Sequence, residues 1–313
     1  MRPELFRLFD VSAPSYFMLL LSGFLFATTM GVVWARRIGE NPDVIVDLGL
    51  FTLLVGGAGA RLLHVFADGY FWDYVHLCTD PSLVDVHLTQ SDCLAPDYAG
   101  VWDAARQICH PANTDCFAWA RFWAGGLTYY GGFLGAVAAS WYLLKRDRFP
   151  YWRAADMAGF VVPVGLAFGR MGCLLAGCCF GLQTDSAVGL VFPSNSPASE
   201  SQFKAGHLPS MHLPSLPVHP TQIYESAASL AIAAFCLFYV HPRKRYDGQV
   251  FLSFVALYAA TRFFIEILRS DDRGEILGLS TSQIIGLALV VVAVLVDRHL
   301  SRPRAAPPAP APS

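Results

Sequence analysis

The sequence predicts an all-α, polytopic membrane bundle of seven transmembrane helices. Three observations predict it. Only 15% of the residues are charged and 54% are hydrophobic, with a mean hydropathy of +0.43, whereas about a quarter of a soluble domain is charged. Apolar runs long enough to cross a hydrocarbon core of about 30 Å recur along the chain. Lys and Arg collect in alternate loops between those runs. With a net charge of -2 and no basic stripe, nothing marks a nucleic-acid partner.

In chain order, residues 1–15 place Leu5, Phe6, Leu8 and Phe9 among charges, as an interfacial segment does. The first span covers about 16–34 and is followed by Arg36 and Arg37. It ends in Trp34–Arg37 and not at a small-residue cleavage site, so no cleavable signal is expected. The second, about 44–66, is expected to be broken by the glycine cluster at 56–61 and carries Arg61 and His64. A long polar loop, about 67–122, leads to the third span, about 125–144, and to a basic loop with Lys145, Arg146, Arg148 and Arg153. The fourth span, about 154–175, precedes a Pro- and Ser-rich polar segment, about 176–221. The fifth covers about 222–240, the sixth about 250–268 and the seventh about 281–296. The membrane domain is therefore assigned to 16–297, and the low-complexity tail, 298–313, is expected to be disordered.

Seven spans place the termini on opposite sides. One set of loops and the tail hold Arg36, Arg37, Lys145, Arg146, Arg148, Arg153, Arg243, Lys244, Arg245, Arg298, Arg302 and Arg304. The other side holds fewer basic residues over longer segments: Arg2, Arg7, Arg106, Arg121, Lys204, Arg269 and Arg273. The positive-inside rule then puts the N-terminus outside and the C-terminus in the cytoplasm, with 67–122 and 176–221 as external loops. Four cysteines in the first of these, Cys78, Cys93, Cys109 and Cys116, are expected to form two disulfides, with three pairings open. Their spacing matches no zinc motif, and no metal site is expected. Cys173, Cys178 and Cys179 stand apart, close to Arg170 near the outer end of the fourth span, and Cys236 reads as a packing residue.

The stretch Gly159–Gly181 organises the rest. It is apolar enough for a membrane yet contains Arg170, and an arginine at mid-bilayer costs about 2.5–3.5 kcal/mol on insertion scales. Arg61, Arg262 and Glu266 lie in two further spans, the last two at i and i+4 on one helix face. With the orientation above, Arg170, Arg262 and Glu266 fall toward the outer leaflet. So do Tyr16, Tyr129 and Tyr130, and His219, Gln222, Tyr224 and Glu225 at the outer start of the fifth span. Arginines that outnumber nearby acids point to an anionic guest. In a membrane leaflet that guest is a phospholipid phosphate, which the guanidinium fork suits.

Six ordered motifs carry a resemblance. SYFMLLLSGFLFA (15–27), GARLLHV (59–65), RFWAGGLTYYGGFLGA (121–136), GRMGCLLAGCCFG (169–181), HPTQIYES (219–226), and RFFIEILR (262–269) with GLSTSQ (278–283) are together similar to the prolipoprotein diacylglyceryl transferase family. The resemblance implies a seven-helix enzyme, multi-pass in the bacterial cytoplasmic (inner) membrane. It would move diacylglyceryl from phosphatidylglycerol to the lipobox cysteine thiol of preprolipoproteins, with no cofactor. It assigns catalysis to Arg170, Arg262, Tyr130 and Glu266. It assigns contacts with phospholipid to Arg170, Arg262, Arg61, Tyr16, Gly131, Gly132 and His219. Its partners would be phosphatidylglycerol, lipobox peptides and membrane lipids. The sequence departs from the family at three positions: Tyr130 replaces a histidine, Cys173 an asparagine and Cys178 a glutamate.

A thioether-forming displacement needs a thiolate, an electrophilic carbon and a stabilised phosphate leaving group. Here Arg170 and Arg262 would bind the phosphate and Glu266 would orient Arg262. Tyr130 would hydrogen-bond the phosphate or thiol and relay the proton to His64, Glu266 or the leaving group, since a neutral phenol is itself a poor base. Two other readings follow from the departures: a phospholipid-binding or transport protein of the same fold, and a diacylglyceryl transferase with a different acceptor.

Overall fold

A computed structural model describes residues 4–8, 11–95, 98–121, 126–269, 275–276 and 278–301. The chain divides into two compact units, Met1–Pro42 with Pro150–Ser313, and Asp43–Phe149. The expected disordered tail from residue 302 on, the first residues of the third span at 122–125, and Arg2 and Arg273 lie outside the described residues. Among the described residues, six helices are long and apolar enough to cross a membrane: α1 (Ser15–Arg37), α2 (Pro42–Ala67), α6 (Tyr151–Ala176), the continuous helix Thr221–Arg243, α10 (Gln249–Ile267) and α11 (Thr281–Leu300). The protein is thus a polytopic helical membrane protein.

In the first unit, α1 packs along α6, α6 against α8 (Thr221–Ala234) and α10, and α10 against α11. The helix Thr221–Arg243 is not uniform. After α8 it widens into a π-helical stretch, Phe235–Val240, before α9 (His241–Arg243). At the N-terminus, expected as an interfacial segment, β1 (Glu4–Leu8) and β2 (Val11–Pro14) pair antiparallel. The 176–221 segment contains α7 (Pro197–Lys204), whose first turn is closed by a capping box between Ser196 and Ser199. Phe192, Ala198 and Val218 form a small core there, with Leu174 and Phe180 packed on it, so this segment is folded against the end of α6.

The second unit holds α2, α5 (Tyr129–Arg146) and the 67–122 segment, in which α3 (Phe71–Thr79), α4 (Gln90–Cys93) and the hairpin β3 (Val101–Asp103)–β4 (Ile108–His110) form. Disulfides join Cys78 to Cys116 and Cys93 to Cys109. The glycine cluster at 56–61 does not break the second span: α2 runs unbroken through it. The glycines serve contact with α5. A Cβ on Gly59 would lie 2.6 Å from the Gly131 carbonyl oxygen, and one on Gly131 would lie 2.3 Å from the Gly59 oxygen. In lipid, where apolar burial no longer drives association, such close backbone approach is what holds helices together.

One buried carboxylate ties the far end of the first unit. The N-terminus of α10 follows Gly248 and has no side-chain cap of its own. Asp156 of α6, fully buried, accepts from the backbone N–H of Val250 at 2.8 Å and of Phe251 at 3.4 Å. It thereby satisfies orphan donors and complements the helix dipole from a different helix. Lys244 Nζ donates to Asp156 at 2.7 Å and to Asp247 at 2.7 Å, and Arg153 bridges Asp247 and Glu40. Burial alone would raise the Asp247 carboxyl, but Lys244 and Arg153 overcome it and hold the group below its usual value. What Asp247 contributes is therefore present at neutral pH and fades as pH falls through that lowered value. Asp156→Ala strands two amides and a lysine, and should destabilise the protein in detergent by about 3 kcal/mol. Asp247→Ala, at a half-exposed site, should cost under about 1 kcal/mol. Thermal unfolding of both variants at neutral pH checks the difference.

Candidate active site

The C-terminal half of α6 faces α1, α8 and α10, and Arg170 lies there. Its Nη2 meets Glu225 Oε1 of α8 at 2.8 Å. Glu225 is 1% exposed, and its Oε1 also accepts from the Tyr258 hydroxyl of α10 at 2.9 Å. Three helices thus converge on one carboxylate oxygen. The second oxygen, Oε2, is buried and accepts from no described residue. Gly172, half a turn beyond Arg170, lets α1 come close: a Cβ there would fall 3.0–3.3 Å from Tyr16, including its backbone. That approach sets Tyr16 within electrostatic reach of Arg170.

Arg262 forms the second part of the site. It meets Glu266 one turn on in α10 at 2.5 Å, both side chains being largely buried. Glu266 is held in turn by Ser280, whose hydroxyl donates to Glu266 Oε1 at 3.0 Å. Ser280 is the N-cap of α11 in a capping box with Gln283, so its position is fixed by the helix it starts. Arg262 is less satisfied than its partner: Nη1 and Nη2 are buried and neither has a well-aligned hydrogen bond among the described residues. Tyr258, hydrogen-bonded to Glu225 and one turn before Arg262 on α10, lies within electrostatic reach of both Arg170 and Arg262.

A third group sits at the end of α6. Gly177 adopts a left-handed conformation and ends the helix, and the Cys178 N–H returns to the Cys173 carbonyl at 3.1 Å. Such a closure brings the residue after the glycine back over the last turn. The sulfurs of Cys173, Cys178 and Cys179 all lie within 4.8 Å of one another. The first residues of α8 hold this corner: Thr221 Oγ1 donates to the Cys179 carbonyl and Gln222 Nε2 to the Cys178 carbonyl, each at 2.7 Å. His219 is in the preceding turn, its backbone paired with Gly181 and Leu182 and its Nδ1 3.3 Å from the Tyr224 hydroxyl.

The remaining residues singled out in the sequence belong to the second unit. Arg61 is buried and donates from Nε to the Trp119 carbonyl (2.6 Å), from Nη1 to Gly126 (3.1 Å) and from Nη2 to Ala118 (2.8 Å), with Tyr74 stacked at 5.2 Å. These bonds tie the end of the 67–122 segment to α2. Gly131 and Gly132 lie in the α2–α5 crossing, where a Cβ on Gly132 would be 3.5 Å from that of Ala60. Tyr130, in the first turn of α5, is exposed and makes an edge contact with Tyr129. His64 Nδ1 is 2.9 Å from Asp68.

Sequence reasoning gives two of these site residues no role. Glu225 reads there only as a residue entering the fifth span, because its partner is far away in the chain. Tyr258 does not stand out, although it lies one turn before Arg262 and two before Glu266 on the same face of α10, a spacing that could reveal it. The sequence also suggests that arginines outnumber acids here. Glu225 corrects this: Arg170 and Arg262 each have a buried glutamate.

Comparison with known proteins gives a consistent result. The sequence profile of the family described as prolipoprotein diacylglyceryl transferase matches residues 98–297. A Clostridium perfringens protein named phosphatidylglycerol–prolipoprotein diacylglyceryl transferase 2 is 29% identical over 301 residues, 95% of this chain and 94% of its own length. One of the same name, without the number, from Clostridium tetani is 28% identical over 95% of this chain and 96% of its own length. Another from Aromatoleum aromaticum is 27% identical over 93% of this chain and 92% of its own length.

If Glu225 is what makes Arg170 tolerable, removing it strands a buried cation. Glu225→Ala should then cost about 3–5 kcal/mol in detergent-solubilised protein. Tyr258→Phe deletes one hydrogen bond to the same carboxylate and should cost about 1.5–3 kcal/mol. A Glu225→Ala variant as stable as the wild type would show that the pair is not structural.

Proposed function

The chain belongs to the prolipoprotein diacylglyceryl transferase family, and from that premise we propose that it transfers the diacylglyceryl group of phosphatidylglycerol to the lipobox cysteine thiol of preprolipoproteins. The observation that carries this reading at the level of the site is Arg262. Its Nη2 is paired with Glu266 at 2.5 Å, whereas Nη1 is buried and has no hydrogen-bond acceptor among the described residues. Buried polar groups are satisfied in the great majority of cases, so an orphaned guanidinium nitrogen suits an anionic oxygen supplied by a ligand. Arg170 supports the same reading. Glu225 engages one of its terminal nitrogens, and Tyr258, bonded to the same carboxylate, lies within electrostatic reach of both arginines.

In this mechanism the headgroup phosphate of phosphatidylglycerol lies against Arg170 and Arg262. The acceptor thiol gives up its proton to solvent, and its sulfur attacks the glyceryl methylene carbon that bears the phosphate. A C–S bond forms, the C–O bond to phosphate breaks, and its electron pair leaves with glycerol phosphate, whose growing charge the two arginines stabilise. Glu266, fixed by Ser280, keeps Arg262 in place. Tyr16 borders the Arg170 side, and His219 closes the turn before α8.

The membrane arrangement that fits this chemistry has seven spans in the inner membrane of a bacterium. The seventh is α5, whose 18 residues span roughly 27 Å at the helical rise. It ends in Lys145 and Arg146, which the positive-inside rule puts in the cytoplasm along with the C-terminus. The lipobox thiol and the site then share the outer face. With single cysteines at Ser91 and Asp147, an impermeant thiol reagent should reach only the first in intact cells. Labelling of Asp147→Cys from outside overturns the orientation.

Arg170 decides the phosphate clamp. Arg170→Ala should lower transfer of radiolabelled glycerolipid to a lipobox peptide by about 10²–10³-fold, the range seen when a preorganised donor to a developing charge is removed. Arg170→Lys should be similarly poor, since an ammonium keeps the charge but loses the fork. Retention of most of the rate in Arg170→Ala, with protein inserted at wild-type levels, contradicts the clamp.

A further inference from the structure

Cys173, Cys178 and Cys179 play no part in the mechanism above, yet they form the densest group of metal-ligating atoms among the described residues. Three thiolates bound to one zinc ion at about 2.3 Å sit a little under 4 Å apart, and these sulfurs are all within 4.8 Å of one another. The backbone is shaped to bring them together. The left-handed Gly177 turns Cys178 back over Cys173, and Cys179 itself takes a φ of 64°. That region is uncommon for a residue with a side chain and clusters at functional sites. Thr221 and Gln222 grip the two following carbonyls from α8, as outer groups do around metal ligands. The other end of the Gln222 amide, Oε1, is fully buried and has no hydrogen-bond partner among the described residues.

Charge points the same way. A zinc ion with three thiolates carries a net charge of about -1. Arg269 and Arg170 both lie within electrostatic reach of Cys179, and Arg170 of Cys173 as well. Arg170 also stands one turn before Cys173 on α6, so the thiol cluster adjoins the proposed phosphate clamp.

We propose that Cys173, Cys178 and Cys179 form a three-thiolate zinc site whose open fourth position takes the acceptor cysteine thiol. Only the fourth ligand rests on the transferase reading. Zinc sites with three protein ligands keep an open position, and a coordinated thiol is deprotonated outright. The acceptor R–SH displaces water from zinc and releases its proton to solvent. Its sulfur, bound as the thiolate, then uses an electron pair to form the C–S bond as the C–O bond to phosphate breaks. The product thioether is a neutral, weak ligand and leaves. The metal changes neither charge nor oxidation state. Such a site needs no strong protein base.

The test uses the full chain in detergent, purified with a phosphine reductant, loaded with zinc and dialysed. Elemental analysis should find one zinc per chain, and cobalt(II) in its place should show thiolate-to-cobalt charge-transfer absorption. Cys178→Ser should lose both, Cys236→Ser should keep both, and Gln222→Ala should weaken zinc about 10–100-fold. Should Cys178→Ser fail to insert, the wild-type metal content and cobalt spectrum still decide. A lipobox peptide added to the cobalt form should strengthen the charge-transfer band, and its serine analogue should not. No retained metal, copper(I) bound with zinc excluded, or a disulfide among the three cysteines in protein alkylated before purification overturns the site. A cobalt band unmoved by the cysteine peptide, or full transfer by zinc-free Cys178→Ser, overturns the fourth ligand and leaves the transferase reading intact.

Discussion

The first unit depends on a charge that the membrane should reject. Arg170 near the C-terminal end of α6 is tolerable only with a partner, and Glu225 supplies one at 2.8 Å from a helix 55 positions further along the chain. Glu225 is more deeply buried than Arg170, so the pair constrains α8 at least as strongly as α6. Tyr258 donates to the same carboxylate and brings α10 to the same point. A buried pair of this kind adds little net stability over apolar packing, but breaking it is expensive. Its structural effect is therefore one of specificity: α6, α8 and α10 have one relative placement in which no charge is orphaned.

The other end of the unit repeats this logic with the charges exchanged. Asp156 on α6 caps α10 and pairs with Lys244 just before it, so α6 meets the same helices at both ends through polar groups. Beside each of these polar groups the contact is steric. Gly159 meets the backbone of Val250 and Phe251, and Gly172 meets Tyr16. Small residues set how closely the helices approach, and the polar groups set their register.

Much of this is legible in the sequence, and the reasons for the exceptions are specific. Hydropathy locates helices because a lipid-embedded backbone must satisfy its own hydrogen bonds, and each expected span overlaps a helix. The glycine cluster at 56–61 reads as a break and is not one. Glycine is costly in an isolated helix, but in α2 it permits the contact with Gly131, which only the partner helix reveals. The pair Arg262 and Glu266 is legible because it is local, at i and i+4; the pair Arg170 and Glu225 is not, because proximity across helices leaves no spacing signal. The cysteine cluster lies between. Glycine at 177, with cysteines at 173 and 178, is the spacing of a helix closed by a left-handed residue, so the return of one thiol toward the other is within reach of the sequence. The pairing of the loop cysteines is not, since composition leaves all three connectivities open.

The balance of charge at the site bears on how it would work. Two arginines facing two glutamates are close to neutral, so the site does not bind an anion by excess charge. What it offers is direction: the unengaged Nη1 of Arg262 and the donors of Arg170 that Glu225 does not take. A phosphodiester brings one negative charge, while a departing phosphate monoester gathers close to two as the C–O bond breaks. Donors fixed by glutamates, and by Ser280 behind one of them, need not reorganise as that charge grows. A strongly positive site would hold the headgroup tightly before reaction and gain little during it, because interactions made equally in both states do not speed the chemical step. A neutral, preorganised pair binds the lipid modestly and gains most when the leaving group has formed. In a membrane where the donor lipid is abundant, affinity for it is easily spared, and the glutamates that weaken the clamp before reaction direct it toward the transition state.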